Sequence, residues 1–528
     1  RLMAYIAPIR TPPRRIQGPS MGSAQIPAST RGLNLRDGIA SMKPADALIL
    51  DNIFPDGTYL RVRGGTSEYA TGINGSVQTI MEWAGPTSRK LFAASPTDIY
   101  NITTTGAVGS PVVSTLGSGY WQTVMMTTAG GAFLVLANGV DAVRNYDGTT
   151  WTSAAITGVT PSTLNFPCLH KSRLWFVQNN STKAWYLPTS SIAGAASGFE
   201  LGEAFTDGGK LIAIGSISRD GGAGIDDYLA FVSSQGQVVV YQGDDPASAN
   251  TWALVGVYNG APPIGNRSTA NIGGDLAIVT DSAVVSTRQL IEGGQASATR
   301  KAITDRIDQG IRDAYLSYGA LAGWSMWSYP SYRLALINVP TSASTAFQFV
   351  VNVQTGGWCT YGNQASPLNA TCWGVFNEAP YFGKSDGTVV RAETGYVDGT
   401  AGITWQVKTS FQTYGRSGGV SRLTMIRPLF TAGGAVVPAI RVNVDYRNDQ
   451  PLTTDAFPAS SGAQGGVWDT ALWDAAMWGD SSAPFNNWYA ATGIGTTASV
   501  HIMGQSLGIE VRLNAIDMKY EVGQRVAL

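Results

Sequence analysis

The chain has 528 residues, with 63 Gly, 25 Pro, 15 Trp and 13% charged residues, against roughly 25% charged in an ordinary soluble protein, a balance that disfavours a mainly helical fold. Lys+Arg 35 against Asp+Glu 36 leaves a formal net charge of −1, so the molecule as a whole has no electrostatic pull toward nucleic acid or anionic membrane. Three cysteines (Cys168, Cys359, Cys372) and two histidines (His170, His501) are too few for a disulfide framework or a multi-histidine metal centre, and no cofactor is expected.

At about 100–200 residues per domain the length suggests two to four domains. The longest apolar runs, such as Phe133 to Ala137, fall far short of the roughly 18–20 residues of a membrane span. Arg10, Arg14, Arg15 and three prolines interrupt Met3 to Ile16, where a secretory signal needs an unbroken apolar stretch. The expectation is a soluble protein made in a reducing compartment.

Arg1 to Pro27 shows neither hydrophobic period and reads as an extended arm, lying on a neighbour or mobile. Arg10, Arg14, Arg15, Arg31 and Arg36, together with Arg1, are opposed across this stretch only by Asp37. They are candidates for contact with a neighbouring subunit's acidic face or with DNA phosphates. In GLNLRDGIASMKPADALILDNIFPDGTYLRVRGG, Gly32 to Gly65, Pro44 and the helix formers Ala45 to Leu50 predict a short helix. Tyr59 to Arg63 predicts a strand.

From about Ser76 to Glu393 short β-runs come in pairs. KLFAAS pairs with DIYNIT, AFLVLA with AVRNYDG, RLWFVQ with AWYLP, DYLAFVS with VVVYQG, DLAIVT with VVSTR, and RLALINV with FQFVVNV. About six units spaced on the order of 40–55 residues predict a β-propeller. A closing strand, Asp-Gly turn and strand lie in Phe376 to Glu393. Ile303, Ile307, Ile311 and Tyr315 predict a helix between Lys301 and Tyr318, packed on a blade edge.

From Trp405 onward residues alternate cleanly. Val407, Thr409, Phe411 and Thr413 share one face; Val442, Val444 and Tyr446 a second; Ile509, Val511 and Leu513 a third. The predicted fold is therefore all-β, with few short helices. An N-terminal arm and platform segment occupies 1–75, a propeller of about six blades 76–395, and a β-sandwich-like platform 396–528.

Few motifs carry chemistry. The turns NYDGTTW, Asn145 to Trp151, and KSDGTVV, Lys384 to Val390, resemble the repeat turns of sialidases but read as hairpin devices, with Asp capping and Gly at positive φ. VNVQTGGW, Val351 to Trp358, is similar to the repeat of quinoprotein propellers, in a single copy. Asp226-Asp227 and Asp244-Asp245 read as loop caps rather than a glycosidase pair. Cys168 and His170 share a strand face without a third catalytic partner, and Cys359 and Cys372 read as free buried thiols. In VWDTALWDAAMWGD, Trp468, Trp473 and Trp478 recur every five residues, a period of neither helix nor strand face. Turns anchored by these three Trp, in a core or at an interface, are expected.

The segment Gly32 to Gly65, the Trp-Asp repeat at Val467 and the ending LGIEVRLNAIDMKYEVGQRV, Leu507 to Val526, resemble tail hub or nozzle proteins of short-tailed bacteriophages, the tail tubular protein B-like family. The resemblance implies a propeller joined to a β-rich platform, six copies in a ring, and a virion protein assembled in the host cytoplasm. It implies a channel for double-stranded DNA, a tail adaptor ring above and fibres or spikes alongside. It carries over no active site, and no enzyme is expected. The alternatives are a propeller glycan-binding protein and a glycosidase or lyase acting on bacterial surface polysaccharide.

Overall fold

The computed structural model describes residues 20–220, 225–272, 274–300, 302–362, 368–415, 419–451 and 483–522. These are almost wholly β, with two α-helices, Thr287–Arg300 (α1) and Asp308–Tyr318 (α2). Successive small sheets begin with the strands Thr79–Ala84, Gln122–Thr128, Leu164–His170, Leu211–Asp220, Thr269–Ile272, Ser325–Tyr329 and Cys372–Phe376. Neighbouring sheets meet along or beside these strands, and the seventh returns to the first. The fold is a β-propeller, and the sheets are its blades 1 to 7.

All six strand pairs read from the sequence are adjacent, antiparallel strands of blades 1 to 6. The closing hairpin supplies blade 7. Its strand Val389–Arg391 pairs with Ser67–Thr71, from the far side of the propeller in sequence. That pairing closes the ring with chain from both ends, and it carries the propeller past the expected boundary at residue 75. Gly374 permits the closure, because a Cβ there would lie 2.6 Å from Ile80 of blade 1.

Apolar wedges fill the seams between blades. Met81, Trp83, Phe92, Trp121 and Tyr146 join blades 1 and 2. Trp175, Tyr186, Phe231 and Trp252 join blades 3 and 4. Leu276 and Ile278 meet Ile217 and Val240 between blades 4 and 5, where α1 adds Leu290.

Blade 6 continues beyond its outer strand. Trp358–Tyr361 pairs in parallel with Gly32–Leu33 and Asp46–Asp51, and the sheet runs on through Ile403–Thr409 to Thr497–Ser506, ten strands in all. Gly32 sits at φ +81, where a Cβ would lie 2.3 Å from Trp358 N, so glycine lets the two backbones meet. A seven-stranded sheet built on Ser421–Ala432 and Val511–Val522 covers the far end of it. Leu50, Phe54, Val407, Ile426, Val511 and Met518 share the core between them.

Several expectations are corrected. Ala45 to Leu50 is no helix: Asp46–Asp51 is a strand held between partners on both sides, and this pairing outweighs a weak local helix preference. Of the expected arm, Ser20–Pro27 lies antiparallel along the chain's own Val522 to Ala515, and residues 1–19 lie outside the described residues. The helix expected from Lys301 begins at Asp308. Ile303 N donates to Val284 O at 3.0 Å, continuing blade 5, and Ile307 stands at the N-cap. The strand Ala439–Val444 stops before Tyr446, because Asp445 and Tyr446 take φ 48 and 63. In Val511–Val522 the buried face shifts from Val511 and Leu513 to Ile516 and Met518, across a bulge opposite Leu429/Phe430.

Candidate functional site

The arginine arm is partly spoken for within the chain. Arg31 Nε donates to Asp46 Oδ1 at 2.8 Å, and Asp46 is fully buried. Arg36 bonds Asp37 at 2.8 Å and also pairs with Asp305, which draws the segment against the start of α2. The Arg36 guanidinium, with Asn34 second, holds the Asp37 carboxyl down to about 2. Arg10, Arg14 and Arg15 lie outside the described residues, as do Trp468, Trp473 and Trp478.

Cys168 and His170 lie on the inner strand of blade 3. Burial pushes the Cys168 thiol up to about 12, away from the thiolate a nucleophile needs. Burial, then Lys171, pushes His170 down to about 4, and its Nδ1 lies 2.9 Å from Ser216 Oγ. Cys359 and Cys372 are free and buried. Asp244 and Asp245 pair with Lys171 at 2.6 Å and Arg173 at 3.3 Å, tying blade 4's outer loop to blade 3. Asp227 stands in a strand, not a turn, and accepts from Ser218 Oγ at 2.8 Å. Among the described residues no group of three or more His, Cys, Asp or Glu is placed to hold a metal ion, and no helix is long and apolar enough to cross a membrane.

The Asp-Gly turns act as expected. Asp147 Oδ1 accepts from Thr149 N and Thr150 N at 2.7 Å each, with Gly148 at φ +99. Asp386 accepts from Thr388 N at 3.0 Å, with Gly387 at φ +80. In VNVQTGGW, Asn352 takes the turn's Gln354 N at 3.0 Å and gives its own amide to Pro55 O at 2.9 Å. The motif therefore pins blade 6 to the platform.

The concave site the sequence did not disclose lies on the propeller axis. A cavity of ≈ 400 Å³ is lined by inner-strand or adjoining residues of blades 1, 2, 3, 5, 6 and 7, among them Thr79, Trp121, Phe166, Thr269, Trp327 and Val375. Arg267, on the loop entering blade 5, reaches into this lining. It donates to Gln78 O at 2.9 Å, to Trp121 O at 2.6 Å and to Thr79 Oγ1. In sequence it is a lone arginine in GNRST, and only ring closure gives it a position opposite blades 1 and 2.

No family model and no curated protein matches the chain. Among solved structures it is similar to BBS1N in complex with ARL6DN, with a TM-score of 0.39 and 9% identity over 63% of this chain and 96% of that one. It is similar also to the computationally designed Ika8 protein, TM-score 0.34 and 11% identity over 62% and 99% of the two chains. A chain of the Mitotic Checkpoint Complex gives a TM-score of 0.34 and 10% identity over 61% and 92%. At this level such likenesses carry no functional information.

Proposed function

We propose that the chain is a structural virion protein, a ring-forming tail nozzle of a short-tailed phage through which genomic DNA is retained and then released. An adaptor ring docks on it and fibres or spikes stand alongside. The motif resemblance at Gly32 to Gly65 and Leu507 to Val526 is the source of this reading. The observation that carries self-association is the outer strand of blade 4, Trp252–Asn259, which packs beside α1 and, among the described residues, has no strand on its far side. Leu254, Val255 and Val257 on it are 50%, 40% and 38% exposed, and an exposed apolar edge of this length is a template for another chain. A propeller hydrogen-bonded through blade 6 into its platform also suits a part that bears load. A near-neutral surface suits a conduit, since dense positive charge would hold DNA by its phosphates.

A second reading, a glycan-binding propeller, is favoured by the axial cavity. Negative-stain microscopy and native mass measurement of the purified chain, alone and with its adaptor, separate the two. The nozzle predicts a ring of about six copies, weakened by Leu254→Lys with Val255→Lys. A monomer under both conditions overturns it.

A further inference from the structure

The axial cavity has the size of a small-molecule site, which runs from about 300 to 1,000 Å³, and its polar groups are unbalanced in one direction. Arg267 donates to two carbonyls and a hydroxyl, and among the described residues no Asp or Glu pairs with it. The Tyr120 ring faces its guanidinium, 5.3 Å from the ring centroid. Burial opposes the charge on Arg267, and no carboxylate offsets that cost.

Four more lining residues hold buried polar atoms without a hydrogen-bond partner: Trp121 Nε1, Trp327 Nε1, Thr269 Oγ1 and Ser325 Oγ. Trp121 and Ser325 are only 1% and 6% exposed. Indole N–H groups donate and never accept, so the lining offers a cation and spare donors with no anion to meet them. Asn266, in the cavity lining, is exposed to solvent.

We infer that the axial cavity binds the oxyanion group, carboxylate or phosphate, of a small polar molecule. Arg267 supplies the charge, and Trp121, Trp327, Thr269 and Ser325 supply neutral hydrogen bonds. This site stands whether or not the chain forms a ring.

The test uses the full chain, with calorimetry and tryptophan fluorescence read against D-glucuronate, inorganic phosphate and the uncharged control D-glucose. Binding of glucuronate but not phosphate identifies a carboxylate ligand, and the reverse a phosphate ligand. Glucose is expected to bind at least about tenfold more weakly than the preferred anion. Arg267→Gln should abolish binding. Because that change also removes bonds between blades, Trp327→Phe and Ser325→Ala serve as variants that keep the fold, checked by circular dichroism, and each should weaken binding by about tenfold. Absence of binding by either anion at millimolar concentration, or unchanged affinity in both conservative variants, overturns the site and leaves the cavity to water.

Discussion

The propeller and the platform are both β-structures, yet they are assembled in opposite ways. Blades 1 to 5 each form from one short run of chain, and apolar wedges fill their seams, aromatic between blades 1 and 2 and between blades 3 and 4 and aliphatic between blades 4 and 5. Trp175 of blade 3, for instance, stacks on Trp252 of blade 4 at 5.6 Å and 17°. The platform instead joins distant segments, with Ser20 opposite Val522 and Leu50 opposite Val407. Damage to a propeller seam should therefore stay between two blades. Damage to the platform should spread, because its strands belong to both ends of the chain and to blade 6.

The largest expected effect breaks a seam. Trp175 is 1% exposed and also touches Phe231 at 5.6 Å and Tyr186 at 4.9 Å. Trp175→Ala should cost about 3–5 kcal/mol in urea unfolding. Hydrogen exchange should rise in blades 3 and 4 while the strand Val511–Val522 keeps its protection; equal loss in both regions would refute the proposed locality.

Next comes the joint between the two regions. Arg63, 4% exposed at its side chain, grips Asp398 through two bonds of 2.9 and 2.5 Å and Asn52 through a third of 2.8 Å. Breaking a fully buried pair costs about 3–5 kcal/mol, and the 28% exposure of Asp398 places Arg63→Met near the lower figure. Exchange should rise on both sides of the joint, in Ser67–Thr71 and in Ile403–Thr409. Strict additivity with Asp398→Asn in a double-mutant cycle would show that the pair does not couple them.

The same contrast decides what could be read from sequence. Blade strands were legible because each pair is local and its runs are short, apolar and separated by Gly, Asp, Asn and Ser turns, as around Asp147. Asp46–Asp51 was not, because two of its partners, Trp358–Tyr361 and Ile403–Thr409, come from remote places in the chain and its composition alone favours helix. α1 was missed for the reverse reason: TRQLIEGGQASATR carries Gly293 and Gly294 mid-helix and little apolar stripe beyond Leu290 and Ile291. Arg267 carries no local signal at all, since its partners at Gln78, Thr79 and Trp121 lie 146 to 189 residues away in sequence.

Acid tests the two regions together. His170 in the propeller and His501 in the platform are 3% and 0% exposed, and burial holds each near 4, below the usual 6.5. Nearby lysines, Lys171 and Lys408, push the same way. The unfolded chain thus takes up these protons before the folded one does. Stability is full above about 6.5 and falls as pH drops toward 4, by on the order of 2–3 kcal/mol for each ring. His170→Gln and His501→Gln should each flatten the stability curve between pH 6.5 and 5, above the range where carboxylates titrate. A wild-type curve already flat there would show that the rings protonate in place.

The smallest effect lies at a blade turn. Asp147 is exposed, and water can replace its bonds to Thr149 and Thr150, so Asp147→Ala should cost less than about 1 kcal/mol. Its neighbour is different. Gly148 sits at φ +99, and a Cβ there would lie 2.5 Å from the Trp83 ring. Its carbonyl also accepts from Lys90 Nζ at 2.9 Å, across from blade 1. Gly148→Ala should therefore exceed Asp147→Ala in the same urea titration and raise exchange in blades 1 and 2 alone. If the two substitutions cost the same, the turn is set by its capping carboxylate, and the seam beneath it contributes nothing to holding the blades together.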